Sequence, residues 1–214
     1  MPWARRAQLQ GPESVGYARA RGGAESNVST AVFAPGHVVA GRYRIQQLLG
    51  QGGMGSVYRA MQLSVGRPVA LKLLSDEHIG SVDLLERFQR EAVALARLTH
   101  PNTVRLFDFG MSEGGCPFLV MEFLRGTDLS RYLEHGGPLR YDHALRVARQ
   151  ILCSLSEAHD AGIVHRDVKP ANVFLCAGSS WPLVKVLDFG IVGDIVADPV
   201  APRLTRTGTV LGSV

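Results

Sequence analysis

Long apolar runs are what this chain of 214 residues most plainly lacks. No stretch approaches the roughly 18 consecutive apolar residues that a membrane-spanning helix needs, so we expect no membrane segment in this chain. The basic N-terminal stretch is not followed by an apolar core, which argues against a secretory signal peptide.

Cysteine is scarce as well. The chain has three cysteines, which are widely spaced and form no C-x-x-C pair: Cys116, Cys153 and Cys176. An odd number at such spacing argues against a disulfide framework and against a zinc site, and it predicts reduced thiols in a cytoplasmic protein.

A strong excess of one charge is also lacking. The formal net charge is +4, and much of it comes from arginines near the N-terminus, so we expect no nucleic-acid partner. Hydrophobic residues make up 46% of the chain and charged residues 20%, which is typical of a globular protein of one or two domains. We expect residues 1–40 to form a flexible leader, because the stretch to about residue 35 is rich in glycine, alanine, serine and arginine without a sustained period. A transit peptide or a partner-binding tail is the alternative that its arginines leave open.

The octapeptide 165–172, HRDVKPAN, concentrates groups suited to phosphoryl transfer. Asp167 can accept a proton from an attacking hydroxyl, and Lys169 can neutralise charge on a transferring phosphoryl group. Asn172 offers an oxygen to a hard cation such as Mg²⁺. Pro170 breaks any helix, so the octapeptide is predicted to be a loop.

This octapeptide resembles the catalytic loop of protein kinases, and a lysine two residues after the aspartate is the form found in serine/threonine kinases. The resemblance implies ATP and Mg²⁺ as cofactors. It also implies that Asp167 and Lys169 are catalytic and that Asn172 is a metal ligand.

A glycine-rich stretch lies upstream, with Gly50, Gly52, Gly55 and Val57 in the spacing G-x-G-x-x-G-x-V. Glycines let a backbone approach phosphates closely. The same glycines would suit a dinucleotide fingerprint, but that site needs a helix next. Two further strands are predicted instead, the second at 67–74, so the glycines resemble the nucleotide-covering hairpin loop of kinases.

Lys72 lies in an otherwise apolar predicted strand, where a lysine is costly to bury without anionic partners. The kinase pattern supplies the nucleotide phosphates and a glutamate on the next helix, predicted here at 83–99. Glu91 lies in the middle of that helix, and the resemblance pairs it with Lys72. The alternative is a solvated Glu91 that pairs with Arg87 or Arg90.

The tripeptide Asp-Phe-Gly, the magnesium motif of kinases, occurs twice. The copy at 108–110 precedes the catalytic loop, and we expect it to end the strand 104–107 and open a turn, without binding metal. The copy at 188–190 follows the loop by one hairpin, as the kinase pattern requires. There Asp188 would bridge Mg²⁺ to the phosphates, and Phe189 would pack under the Glu91 helix.

By the same resemblance, a strand end near residue 121 is the hinge that holds adenine. Backbone groups of Glu122 and Leu124 would bind the base. The remaining side chains of the predicted pocket are Val57, Ala70, Met121 and Phe174. Asp128 begins a short helix, and it either reaches the ribose or caps that helix.

The C-terminal stretch resembles an activation segment with several phosphate acceptors. Thr205, Thr207 and Thr209 are the candidates, and Arg166 is the natural partner of a phosphothreonine there. A flexible Thr/Gly-rich end is the alternative.

The resemblance covers about residues 41–214 and implies an α+β, two-lobed protein-kinase-like fold. We expect a small lobe of antiparallel sheet plus one helix over 41–123, and an incomplete helical large lobe over 124–214 that ends in the activation segment. The Ala-Pro-Glu-type element and the later helices of the family do not follow in this sequence. The predicted helix 141–159 would then expose aliphatic side chains worth roughly 1.5–3 kcal/mol each when buried. We therefore expect this chain alone to be marginally folded and weakly active or inactive, or to be a fragment of a longer protein.

The implied activity is transfer of the ATP γ-phosphoryl group to a serine or threonine hydroxyl of an unidentified protein substrate, including self-phosphorylation in trans during signalling. An inactive ATP-binding fragment or scaffold is the alternative, although Lys72, Asp167 and Asp188 are all present. A small-molecule phosphotransferase of similar fold is the third hypothesis, and the complete HRDVKPAN motif disfavours it.

Overall fold

Six strands build the first of two antiparallel sheets. The computed structural model describes residues 33–52, 55–74, 82–178 and 181–189. The strands are β1 Val38–Val39, β2 Tyr43–Gly52, β3 Gly55–Gln62, β4 Arg67–Leu74, β5 Leu106–Met111 and β6 Pro117–Glu122. They are arranged in the order β1-β2-β3-β4-β6-β5, and each neighbouring pair is antiparallel.

β4 is buried on both faces, because side chains alternate along a strand and each face meets apolar partners. Val69 and Leu71 belong to a cluster on the outer face of the sheet. Ala70 belongs to the cluster on the other face, where helix α1, Val82–Ala96, packs. Lys72 therefore shares the face of the sheet that α1 covers.

α1 ends earlier than the predicted range of 83–99, at Ala96. The next two amides donate to carbonyls only three residues back, Arg97 N to Ala94 O and Leu98 N to Leu95 O. The following amides, of Thr99 and His100, then donate to the carboxylate of Glu157 at 2.8 and 2.9 Å. A distant side chain therefore ends this helix, which local sequence could not reveal.

The second sheet has three strands, in the order β7-β8-β9, and three helical segments lie around it. The strands are β7 Gly126–Asp128, β8 Val173–Cys176 and β9 Leu183–Val186, and the helices are α2 Leu129–Gly136, α3 Tyr141–Asp160 and a 3₁₀ turn at Pro170–Asn172. α3 buries Val147, Ser154 and Ala158 on one face. The side chains of Leu145 and Leu152 lie elsewhere on α3 and are 52% and 65% exposed, as expected for this helix.

The segment between α1 and β5 fastens the two sheets together. Val104 N donates to Val186 O at 3.0 Å, and Val186 N donates to Asn102 O at 2.7 Å. The Asn102 side chain also donates to Gln150 of α3 at 2.8 Å. These contacts fix β9 relative to the first sheet.

Residues 33–40, the end of the stretch predicted to be a leader, pack against the first sheet. Val39 of β1 is fully buried, and the ring of Phe33 stacks on His37 with ring centres 4.2 Å apart. A two-residue strand carries too little pattern to be recognised in sequence, and pairing with β2 is what orders it.

The prediction that residues 108–110 open a turn is wrong. Asp108 and Gly110 lie within β5 and pair with Val120 and Phe118 of β6, so the strand continues to Met111. The carboxylate of Asp108 accepts hydrogen bonds from Arg42, at 2.6 Å, and from the hydroxyl of Tyr43.

None of the described helices combines the length and apolarity needed to cross a bilayer.

Candidate active site

His165 organises the loop between α3 and β8. Its ring is buried, and Nε2 lies 2.8 Å from the carbonyl oxygen of Leu187. Because Nδ1 accepts the amide of Asp167 at 3.3 Å, Nε2 carries the ring proton and donates it to Leu187. Burial lowers the pKa of His165, which keeps the ring in this neutral form.

Asp167 lies between a cation and an amide. Lys169 Nζ is 2.7 Å from its Oδ2, and Asn172 Nδ2 donates to the same oxygen at 3.1 Å. Partial burial alone would raise the pKa of Asp167, but hydrogen bonding and charge from Lys169, with the Asn172 bond, hold it below its usual value. Asp167 is therefore an ionised acceptor at neutral pH, as its predicted role requires.

Asn172 is linked through the backbone to the second candidate metal ligand. The backbone amide of Asn172 donates to Lys169 O at 2.9 Å, and its backbone carbonyl accepts the amide of Leu187 at 2.8 Å. Leu187 directly precedes Asp188. A carboxylate and a side-chain amide are oxygen donors that suit Mg²⁺, so the donor set at this position fits that ion.

Asp188 reaches across to the first sheet. Its Oδ1 lies 2.8 Å from Lys72 Nζ, and the lysine side chain is 9% exposed. Asp188 also has φ at 49°, a left-handed conformation that is uncommon outside glycine and is often found at functional sites. The ion pair supplies the anionic partner that the burial of Lys72 requires.

Glu91, the other predicted partner of Lys72, lies half-buried on α1 next to Ala92. Ala92 belongs to the same cluster as Ala70, two residues from Lys72 in β4. Glu91 and Lys72 are thus placed on facing elements, and their ion pair stays a prediction.

Most of the predicted adenine-pocket residues belong to one apolar cluster. Ala70, Met121, Leu124 and Phe174 are buried within it, and Val57 packs against it. The Glu122 amide already donates to Arg105 O at 3.0 Å. We therefore assign the predicted adenine contact of that residue to its carbonyl.

The glycines lie where the β2–β3 hairpin turns. Gly50 and Gly52 end β2, and Gly55 begins β3 opposite Gly52. Gly55 has φ at 126°, and a Cβ there would lie 1.9 Å from the carbonyl oxygen of Leu73. Glycine is therefore required at this position by the close passage of β4.

Asp128 caps α2. Its Oδ1 accepts the amide of Arg131 at 2.9 Å, and its side chain is 2% exposed, which favours the cap over the ribose contact.

The predicted phosphate acceptors Thr205, Thr207 and Thr209 lie outside the described residues, as does Gly190. Arg166, their predicted partner, lies on the loop with φ at 64°.

Lys185 is the site residue that sequence reasoning missed. Its Nζ lies 2.5 Å from Glu122 Oε1 and 3.1 Å from the carbonyl of Thr103, and its side chain is 10% exposed. The sequence did contain a signal for this residue. Lys185 lies between two valines in a predicted strand, and a lysine buried there needs an anionic partner, just as Lys72 does.

Fold and site together define the class. A curled antiparallel sheet with one helix, joined to a sheet and helices that carry the HRDVKPAN loop, is the architecture of the two-lobed protein kinases. The comparisons with known proteins agree: the protein kinase domain profile matches residues 43–210. The chain therefore belongs to the protein kinase domain family.

The relatives are bacterial serine/threonine-protein kinases. Pkn3 of Myxococcus xanthus is 43% identical over 179 residues, which are 83% of this chain and 33% of Pkn3. PknA of Mycobacterium tuberculosis is 41% identical over 182 residues, which are 83% of this chain and 41% of PknA. The chain thus spans about a third to two fifths of the length of these relatives.

Solved kinase structures match as well. The PknI kinase domain of M. tuberculosis superposes with a TM-score of 0.67 and 32% identity, over 75% of this chain and 62% of that one. Rad53 residues 1–466 in complex with AMP-PNP superpose with a TM-score of 0.62 and 32% identity, over 70% of this chain and 38% of that one.

Proposed function

We propose that this chain carries the nucleotide-handling and catalytic parts of a serine/threonine protein kinase. The observation that carries the proposal is the setting of Asp167, whose ionised carboxylate is held by Lys169 at 2.7 Å and by Asn172 at 3.1 Å. An acceptor held in this way can orient a hydroxyl and take its proton as the oxygen attacks phosphorus.

We assign to the further residues the roles that the kinase resemblance implies. Lys72, steadied by Glu91, holds the α- and β-phosphates of ATP, and Lys169 stabilises charge on the transferring group. Asn172 and Asp188 would hold Mg²⁺, which neutralises phosphate charge when bound. The hydroxyl oxygen bonds to the γ-phosphorus as the bond to the bridging oxygen breaks, ADP leaves, and the hydroxyl proton passes to Asp167.

The apolar cluster supports ATP as the nucleotide, since Ala70 and Phe174 belong to it, Val57 packs against it, and an adenine ring needs apolar side chains of this kind. Rad53, a structural neighbour at 32% identity, is described in complex with AMP-PNP, a nucleotide that mimics ATP. The relatives' names support a protein hydroxyl as the acceptor. Self-phosphorylation in trans at Thr205, Thr207 or Thr209, with Arg166 as the phosphate partner, and a cytoplasmic location, where ATP is abundant, belong to this proposal.

The acceptor class is tested with γ-labelled ATP and Mg²⁺, offered with a generic basic protein, a sugar or an aminoglycoside. Label on serine or threonine of the basic protein or of the chain itself is the expected result. Label on the sugar or the aminoglycoside alone would overturn it in favour of a small-molecule phosphotransferase.

A nucleotide-binding module without transfer is the second candidate, and the exposed aliphatic side chains of α3 favour it. Leu145 and Leu152 are more than half exposed, so the described residues leave this part of α3 without the apolar cover that would stabilise it. ATP·Mg²⁺ that raises the melting temperature without any transfer of label would identify this case.

A further inference from the structure

Lys185 is buried in β9 and has only oxygen partners in the described structure. Its Nζ contacts Glu122 Oε1 at 2.5 Å and Thr103 O at 3.1 Å. None of the roles assigned above to the nucleotide site uses this lysine.

Glu122 is the point where three contacts meet. Its Oε1 also accepts the amide of Arg105 at 2.8 Å, while its own amide donates to Arg105 O at 3.0 Å. Residue 122 is thereby held by its side chain and by its backbone. Residue 122 ends β6 and is itself one of the residues assigned to the adenine ring.

β9 connects this point to the phosphate end of the site. Lys185 and Asp188 are three residues apart, about 10 Å along an extended chain. Asp188 contacts Lys72 at 2.8 Å. One short segment therefore touches the hinge with one side chain and the phosphate-binding lysine with the other.

A buried ion pair adds little net stability compared with apolar residues of the same volume, because both charges lose their hydration. What such a pair supplies is a defined geometry. We propose that Lys185 is a positioning residue, which acts through Glu122 to hold the hinge backbone where it binds adenine, in register with Asp188. This inference rests on the proposed function, since it concerns the same nucleotide site.

Binding of ADP·Mg²⁺ and of tripolyphosphate·Mg²⁺ to the 214-residue chain tests it, because only ADP reaches the hinge. Calorimetric titration would compare the wild type with Lys185→Met, Glu122→Gln and the double variant. Asp108→Asn is the matched control, because it disturbs a different ion pair, the one between Arg42 and Asp108, and Asp108 lies in the same sheet as Glu122. Glu122→Gln leaves Lys185 its contact with Thr103, so it tests the idea even if Lys185→Met does not fold.

We expect Lys185→Met and Glu122→Gln each to lower the affinity for ADP about tenfold, which is the usual effect of losing a charged hydrogen bond. Their affinity for tripolyphosphate should stay within about twofold of the wild-type value. The double variant should bind ADP no more weakly than either single variant, because both act through one contact. Asp108→Asn should lower the melting temperature and leave the affinity for ADP unchanged.

Unchanged ADP affinity in both single variants would overturn the inference, as would equal losses for ADP and tripolyphosphate. If Asp108→Asn lowers the affinity for ADP as much as the other variants do, the effect is a general structural one and the inference is overturned too. A wild type that binds neither ADP nor tripolyphosphate would instead overturn the proposed function, and this inference with it.

Discussion

Lys72 and Asp188 are 116 residues apart in the chain, and their charged atoms are 2.8 Å apart. The contact joins β4 of the first sheet to the residues that follow β9 in the second. It compensates the charge of a lysine that its strand buries, and it brings the candidate phosphate-binding group to the candidate metal ligand. The proposed nucleotide site is thus assembled from both sheets.

The two Asp-Phe-Gly copies make a matched pair of substitutions. Asp188→Asn should abolish the rise in melting temperature that ATP·Mg²⁺ produces, because it removes a metal ligand and the partner of Lys72. Asp108→Asn should keep that rise and cost up to about 1 kcal/mol of stability, since the side chain of Asp108 contacts only Arg42, Tyr43 and its own strand in the described structure. Thermal melts with and without ATP·Mg²⁺ measure both effects, and the reverse pattern would contradict the assignment.

Lys169→Met should raise the pKa of Asp167. Burial is then no longer opposed by the hydrogen bond and charge of the lysine. In the wild type the folded-state pKa lies below the unfolded value, so the stabilisation is present above the unfolded pKa and is lost as pH falls through the folded one. Carboxyl NMR titration measures the change, and the exposed Arg149→Met is the control. An unchanged Asp167 pKa in Lys169→Met would contradict the geometry.

Gly55→Ala should destabilise the first sheet by more than about 2 kcal/mol, since it combines a strained φ with a clash against backbone. Its Cβ would lie 1.9 Å from Leu73 O. Gly66 is the control, because its φ is also positive, at 64°, but nothing lies within 4 Å of an added Cβ. Gly66→Ala should cost only about 1 kcal/mol. Urea denaturation measures both, and equal costs would show that the close approach of β4 is unimportant.

The cysteines should differ in reactivity. Cys153 is exposed on α3, whereas burial raises the pKa of Cys176 to about 11. The thiolate is the reactive form, so a thiol reagent at pH 8 should label Cys153 and spare Cys176. Mass spectrometry of the labelled peptides is the measurement. Rapid labelling of Cys176 in the folded chain would contradict the burial of β8.

Much of this site could be predicted from sequence, because its chemistry is written in short stretches. The loop from His165 to Asn172 carries its acceptor and its cation within three residues. Order along the chain distinguished the two Asp-Phe-Gly copies. Lys72 was recognisable because a lysine in an apolar strand needs a partner.

Long-range contacts are what sequence could not supply. Glu157 accepts the amide of Thr99, just beyond α1, from 58 residues away, and Lys185 contacts Glu122 across 63 residues. β1 is too short to show a pattern, and the strand character of Asp108 depends on pairing with β6. In each case tertiary contacts outweigh the local signal.

The most direct test of the central claim, that Asp167 is the proton acceptor of a protein kinase, is Mg²⁺-dependent transfer of γ-phosphate by the wild type and by Asp167→Asn. Asp108→Asn again serves as the control. We predict label on serine or threonine with the wild type and with the control, and a rate at least about 100-fold lower for Asp167→Asn, while its melting temperature still rises with ATP·Mg²⁺. Equal transfer by Asp167→Asn and the wild type would contradict the account.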